Sequence, residues 1–202
     1  MKKISFIIAL IGSLYYSTAY SKTKGHYAGI GLIKTKMQSG GSHYDHSYSN
    51  DEVHVDDFTY SYGIHYKYAL NHKNIFIAPV LFYDRSNISF AGENLTNTRW
   101  NLDYRYGIGI DFGYDFTDKI AAYFKGGVAS NKYKYESPVL TRSDRDITEF
   151  YGLGLKYSLL SNLDIALEYE NSEYKADISS PENTFIQDMD LEVARLLCTY
   201  KF

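Results

Sequence analysis

Seventeen residues, Trp100 to Phe116, alternate without interruption between two kinds of side chain. Trp100, Leu102, Tyr104, Tyr106, Ile108, Ile110, Phe112, Tyr114 and Phe116 take the even positions; Asn101, Asp103, Arg105, Gly107, Gly109, Asp111, Gly113 and Asp115 take the odd ones. Successive side chains of a strand point to opposite faces, so the pattern predicts one long strand with an aromatic, aliphatic face and a face of charges and glycines. Its length far exceeds the roughly 5–6 residues usual in globular sheets. A tilted strand crossing a bilayer needs about 9–11 residues. The segment therefore points to a membrane-spanning β-barrel.

A second stripe repeats the pattern. Phe58, Tyr60, Tyr62, Ile64, Tyr66, Tyr68 and Leu70 alternate with Thr59, Ser61, Gly63, His65, Lys67 and Ala69. From these two anchors eight strands are predicted, at about 26–37, 58–70, 75–83, 100–116, 119–135, 148–159, 163–174 and 190–202. In the third, Phe76, Ala78, Val80 and Phe82 are expected to face outward. Asn71-His72-Lys73-Asn74, Thr117-Asp118 and Ser161-Asn162 read as tight hairpin turns. Long polar loops are expected near 38–57, 84–99, 136–147 and 175–189. Short turns on one side, long loops on the other and an even strand count are the habit of outer-membrane barrels. Pro138 and Pro181 fall in loops. Pro79 falls inside the third strand, where a missing N–H predicts a bulge.

Residues 1–21 read as a secretory signal: Lys2 and Lys3, the apolar run Ile4 to Leu14, then Ala19-Tyr20-Ser21 before a cut at Lys22. Cleavage after Ala19 is the competing site. The expected mature domain is 22–202, with 19 basic and 24 acidic residues and net charge −5, against −3 for the whole chain. That balance excludes nucleic acid as a natural partner. Cys198 is the only cysteine, so no internal disulfide forms. Its expected lipid-facing position favours an inert apolar role.

Alternation does not say which face is outside; a soluble barrel would turn the apolar face inward. Size decides. An eight-stranded barrel is only just wide enough to be filled by side chains. The tyrosines of the second and fourth strands alone would overfill it. The opposite faces carry Gly29, Gly31, Gly63, Gly107, Gly109, Gly113, Gly127, Gly152 and Gly154, leaving room for long charged chains. The aromatics also fit two girdles. Tyr68, Phe76, Phe116, Tyr157 and Phe202 are expected at the periplasmic rim. Tyr60, Phe82, Trp100, Tyr151 and Tyr169 are expected at the outer rim, with Ile108, Ile110, Leu153, Leu155 and Leu167 between them.

The signal, the opening Tyr27-Ala28-Gly29-Ile30-Gly31-Leu32, the Tyr106-Gly107-Ile108-Gly109-Ile110 strand and the ending Leu196-Leu197-Cys198-Thr199-Tyr200-Lys201-Phe202 together resemble the small eight-stranded outer-membrane proteins of the opacity-protein and outer-membrane-protein-X type. The resemblance spans essentially the whole mature chain. Alternate apolar residues Leu196, Cys198 and Tyr200 before a terminal Phe202 resemble the signal read by the barrel assembly machinery. High tyrosine content (22 residues) and Cys198 within the ending depart from the group's pattern. The resemblance implies an all-β, eight-stranded antiparallel up-and-down barrel in the bacterial outer membrane, in contact with its lipid and lipopolysaccharide. It implies no single activity, since this fold carries adhesins, narrow channels and lipid-modifying enzymes.

The inward set is predicted to hold His65, Lys67, Asp103, Arg105, Asp111, Asp115, Lys125, Lys156, Glu168, Glu170, Arg195 and Lys201. Five bases and five acids, before His65 and Lys201, read as ion pairs filling a narrow barrel; the other reading is a charged constriction in a pore. His43, His46 and His54 lie among Asp45, Asp51, Glu52, Asp56 and Asp57, but their spacing matches no tight ligand set, and neither metal nor cofactor is expected. His46-Ser47-Tyr48-Ser49-Asn50 differs by one residue from the His-x-Ser-Asn of outer-membrane lipid A deacylases and falls in a loop, so it is rejected as a catalytic motif. Arg142, Asp144, Arg145 and Asp146 read as a solvated tip open to a host-surface ligand. The expectation is a non-enzymatic barrel displaying four surface loops for adhesion or host contact. A low-conductance channel is the alternative, and a lipid A-modifying enzyme a more distant one.

Overall fold

The computed structural model describes residues 23–44, 55–91, 99–136, 141–179 and 184–202. They form eight strands: β1 (Gly25–Tyr44), β2 (Val55–His72), β3 (Ile75–Ala91), β4 (Arg99–Asp115), β5 (Ile120–Glu136), β6 (Thr141–Leu160), β7 (Leu163–Ser179) and β8 (Thr184–Lys201). Each pairs antiparallel with its sequence neighbour, and β1 pairs with β8 to close the barrel. Closure leaves no strand edge unpaired, which is what a hydrocarbon environment demands of β-structure. The expected signal segment 1–21 lies outside the described residues.

The hairpins fall where the sequence places them. Lys73 takes a left-handed φ of 57° in the first. In the second, Thr117 Oγ1 accepts from the backbone N–H groups of Lys119 (3.2 Å) and Ile120 (3.0 Å), a local side-chain cap of the kind turns favour. The strands, 17–20 residues long, continue well past the span a bilayer needs. This corrects the loop lengths. Residues expected in loops at 38–44, 84–91 and 141–147 are strand, paired throughout except at Ser86 and Asn87, and including Arg142, Asp144, Arg145 and Asp146. At the long-loop end, the stretches between consecutive strands shrink to 45–54, 92–98, 137–140 and 180–183. Polar side chains on both faces mask period-two alternation, so these ribbon extensions read as loop in the sequence.

Two parity readings are overturned. In β3, Phe76, Ala78, Val80 and Phe82 are buried in the lumen, and Ile75, Ile77, Leu81 and Tyr83 face outward. Phe76 and Phe82 therefore belong to neither girdle. Both parities of β3 are apolar, so alternation carries no sign there. The neighbour decides it: Phe76 is in register with Gly113 and Phe82 with Gly107. A Cβ on Gly107 would come within 2.6 Å of the Phe82 ring, so only glycine leaves the ring its place. The glycine face thus accommodates rings as well as charges; Phe150 lies against Gly109 and Gly127 in the same way.

The second correction is in β4. A register shift between Leu102 and Tyr104 marks a bulge, which turns Leu102 fully into the lumen and displaces Asp103 from it. Pro79 makes no bulge. Register is continuous across it, but the β2–β3 ladder lacks pairs between Lys67↔Val80 and Leu70↔Ile77, on the strand side where the donor is missing. The irregularity in β3 comes later, between Arg85 and Ile88.

Candidate functional site

The lumen is built in three layers. Nearest the short turns, Tyr27, Ala69, Phe76, Ala78, Ala121 and Tyr123 pack together. Beside them Asp115 accepts from Thr23 Oγ1 (2.6 Å), Thr23 N (3.2 Å) and Asn71 Nδ2 (2.8 Å). Lys156 contacts Thr23 Oγ1 and lies 3.4 Å from Asp164. This end of the barrel is closed by a polar knot tied to the segment preceding β1.

The middle layer carries most of the charge. Arg195 of β8 donates to Asp84 Oδ2 of β3 from Nε (3.0 Å) and Nη2 (2.6 Å), and to Glu170 Oε2 of β7 from Nη1 (2.6 Å). Arg105 pairs with the other oxygen of Glu170. Lys125 pairs with Glu168, whose second oxygen accepts from the Tyr123 hydroxyl at 2.6 Å. Lys67 lies 3.6 Å from Asp111, and His65 Nε2 lies 3.2 Å from Asp84 Oδ1. The guanidinium carbons of Arg105 and Arg195 are each 5.2 Å from the centre of the Phe82 ring, and Arg105 is equally close to Phe150. Cations over aromatic faces gain from the ring quadrupole, the more so when desolvated. The network ties residues of six strands across the barrel axis.

Above it, toward the long-loop end, Ile33, Met37, Ile88, Leu102, Tyr133, Met189, Leu191 and Val193 form an apolar plug inside the barrel. A cavity of about 10 Å³ remains lower down, walled by His65, Lys67, Asp111, Lys125 and Glu168 among others. That is about one water's worth of space. Among the described residues, these layers fill the lumen with side chains.

Of the expected interior set, Lys67, Arg105, Asp111, Asp115, Lys125, Lys156, Glu168, Glu170 and Arg195 are brought together in the lumen. Asp103 is not. It sits on the β4 bulge near the outer rim, half exposed and 3.6 Å from Lys132, because the extra residue shifts its side chain off the inward face. Sequence reasoning missed Asp84 and Asp164. Asp84 lay past the expected end of a strand whose parity was reversed. Asp164 was recoverable, since it stands between the outward Leu163 and Ile165. The buried lumen charges then number five bases and six acids, with His65 beside them. The apolar plug was missed for three reasons: Ile88 and Met189 fall in stretches that read as loops, Leu102 belongs to the outward stripe of its strand until the bulge turns it, and Ile33, Met37, Tyr133, Leu191 and Val193 lie in predicted strands whose inward set was read from its charges alone.

On the outer surface, Tyr60, Tyr68, Phe116, Tyr151 and Tyr169 are exposed, and Tyr157 is half exposed. The side chain of Trp100 lies outside the described residues. Leu196, Cys198 and Tyr200 form one outward face of β8, continued by the exposed Phe202 just past its end. His46, His54 and the 46–50 segment lie outside the described residues, while His43 is strand, in register with Phe185. Among the described residues no three His, Cys, Asp or Glu side chains converge to hold a metal.

Solved structures share this architecture at low identity. OprG, an outer membrane protein of Pseudomonas aeruginosa, superposes with a TM-score of 0.62 at 15% identity, covering 91% of this chain and 98% of that one. Ail, the attachment invasion locus protein of Yersinia pestis, gives 0.53 at 14%, covering 88% and 99%. Neisserial surface protein A gives 0.53 at 15%, covering 89% and 98%. These likenesses establish the fold. No curated protein matches the sequence. A family model described as the outer membrane protein beta-barrel domain matches residues 5–201, and the chain belongs to that family of bacterial outer-membrane barrels.

Proposed function

We propose that this protein is a non-conducting, non-enzymatic barrel that holds its ribbon extensions outside the cell as a recognition surface, for adhesion or host contact. One observation carries the reading: the lumen is filled, by the Arg195–Asp84–Glu170 network in the middle and by the Leu102–Leu191 plug above it. Residues 1–21 would be removed on export, and the Leu196, Cys198, Tyr200, Phe202 face would be read by the barrel assembly machinery. Fold likeness to Ail, named for attachment and invasion, supports the recognition role by analogy.

The charge of the outer end suggests the partner's sign. Residues 38–57 carry five acids and no lysine or arginine, and residues 173–192 carry six acids and one lysine. These two hairpin ends belong to strands adjacent around the barrel, since β8 pairs with β1. A cationic host-surface ligand complements them.

Planar-bilayer recording of refolded protein is the test. No reproducible steps are expected; steps that scale with salt would replace this reading with the narrow channel. Replacing the four hairpin ends singly should lower host-cell binding for at least the first or the fourth. Lipid A analysed by mass spectrometry, with and without the protein, should be unchanged; a new acylation pattern would favour an enzyme.

A further inference from the structure

The outward face of β1, β2 and β3 is not evenly filled. A groove of about 600 Å³ runs there, lined by Ala28, Ile30, Ile64, Tyr66, Leu81 and Tyr83. Register builds it: Ile30, Ile64 and Tyr83 are cross-strand neighbours, and so are Ala28, Tyr66 and Leu81 one step nearer the short turns. Ala28 is the small residue in that row and opens its β1 side. The depression is shallow and open along its length, as suits a chain lying on the barrel surface rather than a ligand enclosed by it.

One step toward the long-loop end, the next row is Leu32, Tyr62 and Arg85. Arg85 is exposed on the outward face at the head of the groove. Its Nη1 donates to the Tyr62 hydroxyl at 3.1 Å, and its guanidinium carbon is 6.0 Å from that ring's centre. Its cross-strand neighbours are Tyr62 and Tyr104, and among the described residues no carboxylate pairs with it. Tyr62 takes one N–H of the exposed guanidinium and leaves the others available to a ligand.

We propose that this groove and Arg85 form a binding site for one phosphorylated glycolipid of the outer leaflet: an acyl chain lies in the groove and a headgroup phosphate pairs with Arg85. Hydrocarbon complements Ile30, Ile64 and Leu81, and the guanidinium fork matches phosphate oxygens. The order of the parts selects the leaflet. The cation lies on the long-loop side of the apolar groove, so a lipid of the inner leaflet would present its phosphate at the wrong end. The site stands whether or not the barrel conducts.

Native mass spectrometry of the full mature barrel, refolded in detergent and titrated with purified bisphosphorylated lipid A, tests it. Folding of each variant is checked by the heat-dependent shift in gel mobility. One retained lipid is expected. Arg85→Ala should weaken retention about tenfold, the scale of one lost charge-assisted contact. Ala28→Trp, which fills the groove from the lipid side, should weaken it at least as much. Lys132→Ala should leave it unchanged. Dephosphorylated lipid A should bind wild type and Arg85→Ala equally. Equal retention by wild type and Arg85→Ala would overturn the proposal. So would an unaffected Ala28→Trp, a loss in Lys132→Ala as large as in Arg85→Ala, or an Arg85→Ala effect that persists without the phosphates.

Discussion

Arg195 and Leu191 both face the lumen from β8 with one inward position between them, yet their surroundings are opposite. Around Arg195, every neighbour that matters is a charge or a ring: Asp84, Glu170, Glu168 and Phe82. Around Leu191 lie Ile33, Met37, Ile88, Leu102 and Val193. The charged layer gains little net stability from its pairing, because desolvation offsets most of the attraction. What it supplies is register: Arg195 meets both Asp84 and Glu170 only when β3, β7 and β8 are set as they are. The apolar layer supplies packing energy and tolerates small shifts. The outer half of this lumen is therefore stabilised as a soluble core is, while the middle specifies which barrel forms.

Single substitutions in the two layers should separate these roles. Arg195→Met leaves Asp84 and Glu170 buried without their main partner and should destabilise the barrel by about 3–5 kcal/mol. Urea unfolding in detergent, followed by the fluorescence of the single tryptophan, Trp100, measures it. A cost below 1 kcal/mol would show that water enters the middle layer and that the network is not dry. Leu102→Ala in the plug should cost about 2–4 kcal/mol by opening a cavity. It should produce no conductance, because the charged layer still closes the lumen beneath it. Reproducible current in Leu102→Ala would make the plug the sole seal.

Gly107→Ala probes where the layers meet the rings. The new methyl would meet both the Phe82 ring and the Val128 carbonyl oxygen, and should cost about 1–3 kcal/mol. Adding Phe82→Leu should recover part of that loss; full additivity of the two changes would mean the ring is not what the glycine accommodates. Lys132→Ala is the smallest expected change. Its pair with Asp103 is 3.6 Å apart and solvent-accessible, so unfolding midpoints should move by less than about 0.5 kcal/mol in equivalent stability.

How much the sequence reveals varies along the chain for one reason. In β2 and in β4 below its bulge, one face is apolar and the other is charge and glycine. There the strand, its parity and its interior residues Lys67, Arg105 and Asp111 are readable directly. In β3 both faces are apolar, and inward Phe82 could not be told from outward Tyr83. In the ribbon extensions both faces are polar or mixed, so β6 was expected to begin at 148 rather than at Thr141.

Alternation over more than ten residues in β2 and β4, with glycine and charge opposite tyrosine and leucine, determined a membrane-spanning barrel once the narrow interior was taken into account, and the tight turns between the strands gave the count of eight. The reason is that side chains on a strand have a period of two and lipid accepts only one of the resulting faces. Tertiary structure alone decided the sign of β3, the inward turn of Leu102, and the union of Asp84 with Arg195 across 111 residues of sequence. Those depend on which residue stands opposite on the next strand or across the axis, and a linear pattern holds no record of that.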